Sequence, residues 1–405
     1  MKSLKKNEFY IILILAATYN AIYSLAFMKG LYYTIMQSGL GLSHFSLGQL
    51  YSAWGLFSMF SYLCGAFFLN KFKCWKLVAF PSFIIGILTF CLAFLSGKYI
   101  LMMIIFSVMG FILGAAFYPA HLQILHQLGT PMQQGTVFSL FFVFNSIAGA
   151  LFAILGFGIS SIPVSNAKLV QYLFIFFALL NIITGILCVI FLRKLPDHAS
   201  GKSNLSFSSV SKLMKNKRFW AVILIVFTNY IAFSSLNYVL PFLDNTFSLS
   251  PLTTNVLTIT RVYLIGIIAA PIAGKITDQF RSPSRVIKYA FVLTSFTLLM
   301  LTLFRGSFAL TITSILFACL FINMGKSIAL ITIDEAGIPS ILYGMSISFI
   351  SFSAYSPDAF YYSLSGMILD AFPANGYYIV FAIVAILSLV GFLASFFLEK
   401  GTKSS

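Results

Sequence analysis

Long apolar segments alternate with short polar ones along the whole chain. A helix needs about 20 apolar residues to cross the hydrocarbon core of a membrane. Twelve segments qualify as spans, numbered here one to twelve in chain order, so the pattern predicts an all-α membrane protein with twelve transmembrane helices. The predicted spans are centred near Ala17, Phe57, Ile87, Gly110, Ile147 and Leu180 in the first half, and near Tyr230, Leu264, Thr297, Leu320, Ala354 and Ile386 in the second.

One polar interval, from Arg193 to Arg218, is too long and too polar to lie in hydrocarbon. It contains seven lysines and arginines and a single acid, Asp197. Such a basic segment between apolar spans is typical of a cytoplasmic linker. The predicted domains are therefore a six-helix bundle at 1-192, the linker at 193-218 and a second six-helix bundle at 219-405.

The two halves repeat each other weakly, at nearly constant spacing. The segment TYNAIYSL that begins at Thr18 has a counterpart, TNYIAFSSL, that begins at Thr228. Gly135 and Gly344 each open an apolar segment, and they lie almost as far apart in the sequence as the first residues of the two segments above. The loops around Asn70 and Asp278 are separated by nearly the same number of residues. Two parallel repeats joined by a linker are the layout of a two-bundle secondary transporter.

The composition is that of a membrane protein. Hydrophobic residues make up 60% of the chain and charged residues 8%, whereas about a quarter of the residues of a soluble domain are charged. The net charge of +16 comes from short basic clusters between apolar segments, so no nucleic-acid partner is predicted. Most basic residues face the cytoplasm if both termini are cytoplasmic, which predicts that orientation. We expect a multi-pass protein of the cytoplasmic (inner) membrane of a bacterium.

Enzyme and metal motifs are missing from the sequence. It contains no HExxH, no GxSxG and no complete phosphate-binding loop,, and the five cysteines lack CxxC spacing,. The sequence therefore predicts no catalytic residues, no metal site and no cofactor. The expected partners are the lipid bilayer, a small-molecule substrate and protons, and the chain is expected to be a monomer.

Ionisable residues inside spans are the first candidates for function, because a charge at the centre of a span costs about 2.5 to 3.5 kcal/mol on insertion scales. Arg261 in span eight and Asp358 in span eleven lie at similar depth. We interpret Arg261 as the group that binds an anionic part of the substrate, with Asp358 as its partner in the empty site or as a proton acceptor. The alternative is a fixed salt bridge that ties helices together. Lys326, in span ten, either adds a second positive charge or extends to the membrane surface.

Span eleven also carries a polar stripe. A polar stripe on one face of a helix is costly in lipid, so this face is expected to line a cavity or to contact another helix. Pro357 predicts a bend beside it, because proline removes a backbone hydrogen bond. The stripe consists of Ser351, Tyr355, Asp358, Tyr362 and Ser365, at helical spacing,.

Uncharged candidates lie in the middle of spans one, five and seven. Their side chains offer hydrogen bonds and aromatic walls to a polar ligand, although such residues also join helices. His121 and His126, near the inner end of span four, are instead predicted to belong to a gate or a loop contact. The uncharged candidates are Tyr19, Asn20 and Tyr23, their counterparts Asn229, Tyr230 and Asn237, and Asn145.

The loop from Gly274 to Arg281 reads GKITDQFR. It is similar to the signature loop of the major facilitator superfamily, which follows the second helix and is echoed after the eighth. The resemblance implies a fold of two six-helix bundles. It also implies a cytoplasmic gate that includes Asp278 and Arg281, with Asn70 and Lys71 at the corresponding place in the first half. Asn70 stands where the family usually has Asp.

Three further stretches resemble a bacterial branch of that superfamily with sugar-sulfonate, organophosphate and nitrate-like carriers. They are FYPA from Phe117, the pair Gln134-Gly135, and YSPD from Tyr355, followed by Gly366 and Leu369-Asp370. Members of the branch carry basic residues on spans four and five. This chain has Gln123, His126 and Asn145 there instead.

The sequence thus predicts a secondary active transporter, a symporter that moves a small polar, anionic metabolite by alternating access with proton coupling through Asp358. In this prediction the two bundles rock about a central site. Two alternatives remain open at this point. One is an exporter of amphipathic compounds, which the 46 phenylalanines and 20 tyrosines would suit. The other is a membrane sensor with the same fold and no flux.

Overall fold

The computed structural model describes residues 6–95, 97–128, 134–195, 213–304, 306–338 and 343–402. The regular structure formed in these ranges is helical. The chain divides into two compact units, Met1–Gly201 and Lys202–Ser405. The division falls in the predicted linker, most of which, residues 196–212, lies outside the described ranges. The bounds predicted for the linker therefore stay a prediction.

Unit one contains the first six predicted spans. Its helices are Lys6–Ile22, Ser24–Leu31, Tyr33–Leu40, His44–Ser61, Gly65–Lys71, Cys74–Leu92, Tyr99–Ile112, Tyr118–Gln127, Gln134–Ser160 and Asn166–Leu192. A 3-10 turn, Tyr62–Cys64, and a π-helical segment, Leu113–Phe117, join neighbouring helices.

Unit two contains the other six. Its helices are Lys217–Ser235, Val239–Phe247, Pro251–Ile259, Ile265–Phe280, Pro283–Leu303, Phe308–Ile328, Tyr343–Tyr355, Tyr361–Ala371 and Gly376–Thr402. Four shorter segments link them: 3-10 turns at Leu236–Tyr238, Ala329–Ala336 and Ser356–Ala359, and a π-helical segment at Thr260–Leu264.

The helices of the two units pack in the same pairs. In unit one, span one packs against spans five and six, span two against span four, and span three against span six. In unit two, the corresponding pairs are span seven with spans eleven and twelve, span eight with span ten, and span nine with span twelve. The close approach of spans two and four needs Gly110, because a Cβ atom there would overlap the backbone of Trp54,. The shared pairing agrees with the weak repeat in the sequence.

Each of the twelve predicted centres lies in a helical segment. Within the described ranges, nine helices are long and apolar enough to cross a membrane, or ten if Lys6–Ile22 and Ser24–Leu31, which bend by 63° at their junction, form one span. The two remaining predicted spans, two and eleven, are broken by the turns Tyr62–Cys64 and Ser356–Ala359. The total of twelve crossings and the cytoplasmic position of the termini remain predictions.

Helix ends follow local sequence signals. Ser43 begins a helix by accepting a hydrogen bond from the Ser46 backbone N–H at 3.1 Å, and Ser250 and Ser282 do the same for later helices, as expected of N-cap residues. Gly41, with φ +64°, ends a helix in the left-handed conformation that glycine adopts without strain,.

Candidate functional site

A carboxylate and a tyrosine meet where spans seven and eleven pack inside unit two. The Tyr230 hydroxyl donates a hydrogen bond of 2.6 Å to Asp358 Oδ2. The other carboxylate oxygen, Oδ1, is buried and has no hydrogen-bond partner among the described residues. The Tyr355 ring lies edge-on to the Tyr230 ring, with 4.9 Å between their centroids. One oxygen of the carboxylate is therefore held by a hydrogen bond from Tyr230, and the other is enclosed by the protein.

Lys326 brings a positive charge to the same place from span ten. Its Nζ lies 3.3 Å from the centroid of the Phe233 ring, a cation–π contact. Asp358 acts on it electrostatically, although the two do not form an ion pair in the described structure. Lys326 is an exposed residue in this structure. We call Tyr230, Phe233, Lys326, Tyr355, Asp358 and Tyr362 the charged cluster.

The break in span eleven shapes this cluster. The helix that ends at Tyr355 gives way to the 3-10 turn Ser356–Ala359, and a new helix begins at Tyr361. The interruption predicted at Pro357 is therefore present. It places Asp358 in a turn and not within a regular helix, so the predicted stripe is divided between two helices.

The predicted contact between Asp358 and Arg261 is not made. In the described part of the chain, Asp358 is hydrogen-bonded to Tyr230, whereas Arg261 Nη1 donates to the carbonyl oxygen of Leu236 at 2.6 Å. Similar depth in two spans does not fix which way each side chain points around its helix. Span eight turns the guanidinium toward span seven, and span eleven turns the carboxylate toward another part of that span.

Arg261 is buried, with 6% of its surface exposed. It lies in the π-helical segment Thr260–Leu264, and its carbonyl partner lies in the 3-10 turn that interrupts span seven. A cavity of about 10 Å³ adjoins it, with a lining that includes Val239, Leu257 and Ile315. That volume is near the lower limit for a single water molecule. In this structure Arg261 therefore stabilises the 3-10 turn that interrupts span seven.

Two asparagines of span seven join neighbouring helices. Asn237 donates to the Tyr362 hydroxyl at 3.2 Å and to the Ser234 carbonyl at 3.0 Å. Asn229 is buried and donates to the Ile322 carbonyl at 3.4 Å. Asn237 and Tyr362 thus extend the charged cluster along span seven, while Asn229 contacts span ten.

In unit one, the corresponding spans are joined by uncharged groups. Asn20 Nδ2 lies 2.7 Å from both the Oδ1 and the carbonyl oxygen of Asn145, and 3.1 Å from the Ala16 carbonyl. The Tyr19 and Tyr23 rings are 4.5 Å apart. The structure thus brings the four predicted polar residues of spans one and five to one region of the unit.

His121 also belongs to this region, contrary to the prediction of a gate or loop position. Its ring lies 5.4 Å from that of Tyr19, in the middle of span one, and 4.8 Å from that of Phe141. The residue is 1% exposed. Its position on span four was misjudged because the π-helical segment Leu113–Phe117 adds a residue to one turn and changes the depth and direction of the residues after it,.

The four predicted gate residues lie at span ends. Asn70, Lys71, Asp278 and Arg281 are all exposed. Arg281 ends its helix with φ +51°, and their role as a gate stays a prediction.

Acids near these span ends have structural contacts. Glu335 accepts from the Ser282 hydroxyl at 2.7 Å and from the Ser284 N–H at 2.9 Å. Glu399 pairs with Arg285 at 2.9 Å and with Lys288 at 2.5 Å. These contacts join the ends of neighbouring helices of unit two.

Comparison with known proteins identifies the family. The family model of the Major Facilitator Superfamily matches residues 82–356, more than half of the chain. The chain belongs to the Major Facilitator Superfamily. It is accordingly a secondary transporter and not an enzyme.

Its relatives agree in location. The chain is 26% identical to the inner membrane protein YihN of Escherichia coli (strain K12), over 98% of this chain and 96% of that protein. It is 21% identical to the inner membrane protein YqcE of the same organism, over 87% and 85%. Together with its apolar helices, these relatives identify a multi-pass inner membrane protein.

Solved transporters share the fold. A bacterial homolog of the human lysosomal transporter Spinster matches with a TM-score of 0.77 and 13% identity, over 98% of this chain and 99% of that one. A D-xylose-proton symporter matches with a TM-score of 0.77 and 15% identity, over the same shares of the two chains. A point mutant of the nucleoside transporter NupG matches with a TM-score of 0.74 and 14% identity, over 96% and 99%. The predicted all-α transporter fold is confirmed.

Proposed function

We propose that this transporter moves a small polar anion by alternating access and that protons drive it through Asp358. The observation that carries the proposal is the charged cluster, in which Lys326, Asp358 and Tyr230 meet inside the membrane spans of unit two. Ionisable side chains at such depth are rare because they are costly, and they commonly mark substrate and proton pathways.

The balance of charge favours an anionic substrate. Away from the span ends, unit two carries two cations, Arg261 and Lys326, and one carboxylate, Asp358. A single carboxylate cannot neutralise both cations, and an excess charge is costly where the dielectric constant is low. A bound anion would supply the missing negative charge. Lys326 is the cation better placed to receive it, because it is exposed whereas Arg261 is buried.

Proton coupling follows from the position of Asp358 beside Lys326. While Asp358 is ionised, it attracts the ammonium group of Lys326 and competes with the substrate for it. Protonation of Asp358, at the oxygen without a hydrogen-bond partner in the described structure, removes that competitor. Anion binding and proton binding therefore favour each other, as linkage requires. The two are carried together.

The other predicted site residues have supporting roles in this proposal. Arg261 adds a second positive charge to unit two and stabilises the turn that interrupts span seven. A solved transporter with this fold is named as a D-xylose-proton symporter, which supports the proton part of the proposal. The uncharged side chains supply hydrogen bonds and ring faces to the rest of the solute. They are Tyr19, Asn20, Tyr23, Asn145, Asn229, Asn237, Tyr355 and Tyr362.

The test is uptake by the full-length protein in proteoliposomes with an imposed pH gradient. The solutes are radiolabelled small carboxylates, sulfonates and phosphate esters, each paired with an uncharged analogue of similar size. We expect accumulation of one anionic class and not of its analogues. Lys326→Gln is expected to lower that uptake by about 10- to 100-fold, because a lost charge-assisted contact costs about 1.5 to 3 kcal/mol and every 1.4 kcal/mol is about tenfold.

Lys168→Gln is the matched control, since Lys168 is an exposed lysine at the start of a unit-one helix, and its uptake should equal that of the parent. Accumulation of the uncharged analogues, or full activity of Lys326→Gln, would contradict the proposal. Drug efflux without uptake of any anion would favour the amphipathic exporter. Binding of an anion without flux would favour the sensor.

A further inference from the structure

His121 is a buried polar side chain whose hydrogen bonds are unaccounted for. It is 1% exposed, and neither Nδ1 nor Nε2 has a hydrogen-bond partner within the described residues. A neutral imidazole has one donor and one acceptor nitrogen. Burying such groups without partners is unfavourable, and native proteins avoid it in the great majority of cases. A ligand that supplies the missing partners would account for the exception.

Its immediate neighbours are aromatic rings. Phe117 stacks on the imidazole with 5.5 Å between centroids, Phe141 lies at 4.8 Å and Tyr19 at 5.4 Å. We call these three rings and His121 the histidine box. The box is built from spans one, four and five of unit one. The π-helical segment Leu113–Phe117 leads directly into it, and such segments often occur at functional sites.

One wall of the box can open. Phe117 and Phe141 are buried, whereas Tyr19 is half-buried and lies beside Tyr23, which is also half-buried, with the two rings tilted by 33°. A rotation of Tyr19 about its side-chain torsions would therefore expose the imidazole. Rotamer changes of aromatic side chains do not require the backbone to move.

We infer that the histidine box is a binding subsite for a hydroxyl-bearing part of the transported solute. This inference rests on the proposed function. A hydroxyl both donates and accepts, so it satisfies the two nitrogens that are left without partners. The ring faces suit the C–H groups that carry the hydroxyls. Those faces are the negative side of an aromatic quadrupole, so the box disfavours the anionic end of the solute.

The expected substrate is a hydroxylated anion. The histidine box recognises its hydroxyls. The inference assigns the hydroxyl preference to unit one alone, and it can therefore fail while the proposed anion transport holds.

Thermal denaturation of the purified full-length protein in detergent tests the box. The probes are paired anions of equal charge and carbon number: glycerate with propionate, and gluconate with hexanoate. The uncharged polyols sorbitol and inositol are added separately. We expect the parent to be stabilised more by the hydroxylated member of each pair. In His121→Phe, the apparent affinity for that member should fall about tenfold or more, while the response to propionate and hexanoate is kept.

His121→Phe is also expected to raise the melting temperature without ligand, because it removes two buried polar atoms that lack partners. A histidine whose two nitrogens are satisfied in the protein without ligand would give the opposite sign. His121→Leu repeats the test if the larger ring does not fit. His126→Phe, an exposed histidine on the same helix, is the matched control and should behave as the parent.

The inference is overturned if the parent responds equally to both members of each pair, or if His121→Phe keeps the preference for hydroxyls. If none of the four carboxylates stabilises the parent, carboxylates are excluded as substrates, and sorbitol and inositol then decide the box on their own. Stabilisation by either polyol that is lost in His121→Phe would support it, and its absence would overturn it.

Discussion

Equivalent helices in the two units make equivalent contacts with different chemistry. In unit one, spans one and five are joined by the amides of Asn20 and Asn145. In unit two, the corresponding spans seven and eleven are joined by the Tyr230 hydroxyl and the Asp358 carboxylate. The ring contacts of His121 on span four correspond to those of Lys326 on span ten. Unit one is neutral at this place and unit two is charged.

The difference suggests a division of labour between repeats of one architecture. The packing scheme that both units share needs only a hydrogen bond between the paired spans, and an amide pair provides it. A carboxylate and an ammonium group in the same positions add a large cost, which is expected to persist only where the charges are used. The charged unit is accordingly the part of the chain that we propose for the anion and the proton.

A large effect on both stability and transport is expected from breaking the charged unit at Arg261. Arg261→Gln removes the charged donor to the Leu236 carbonyl, and a hydrogen bond from a charged group contributes about 1.5 to 3 kcal/mol. We expect the free energy of unfolding to fall by about that amount. Transport is expected to fall about tenfold or more, because the break in span seven adjoins Asn237 and Tyr362 of the site.

Unfolding in a graded detergent titration and uptake in proteoliposomes measure the two effects. Arg261→Lys keeps the charge and a donor, and it should retain most of the stability. Uptake by Arg261→Gln equal to that of the parent would show that Arg261 does not contribute to the site. A fall in uptake without a fall in stability would instead favour direct contact with the substrate.

A smaller effect is expected from the neutral unit. Asn20→Ala and Asn145→Ala each remove the same amide contact. Hydrogen bonds between membrane helices contribute about 0.6 kcal/mol on average in double-mutant cycles. We expect a coupling free energy of that size between the two positions, measured by unfolding of the single and double variants. The preference for anions over uncharged analogues should not change. A coupling above about 2 kcal/mol, beyond the observed range, would contradict the view of this contact as an ordinary neutral bond.

Most of the fold could be predicted because it depends on one-dimensional patterns. Apolar segments of sufficient length indicated the helices, and the spacing of Thr18 and Thr228 indicated the repeat. The interruptions of spans two and eleven are harder to predict from such patterns. Their interruptions at Tyr62–Cys64 and Ser356–Ala359 depend on local backbone geometry, for which only Pro357 left a signal in the sequence.

The candidate site could be predicted by residue type but not by partner. Arg261, Lys326 and Asp358 are recognisable because charges are rare inside spans. Which of them meet depends on rotation about each helix, and the π-helical segment at Thr260–Leu264 changes that rotation in a way that no residue type signals. Phe233 could not be distinguished from other phenylalanines. A histidine in an apolar span, His121, was a signal, but its depth was misjudged because the helix before it is not regular.

In the proposed function, protonation of Asp358 and anion binding favour each other. Proton uptake measures this coupling when the anion found in the uptake experiment is added to the purified protein in weak buffer with a pH-sensitive dye. We expect uptake of protons by the parent that is absent in Asp358→Asn, although Asp358→Asn still exchanges labelled for unlabelled anion. Equal proton uptake by parent and variant, or none by the parent at any pH at which it transports, would show that Asp358 does not couple protons to the anion.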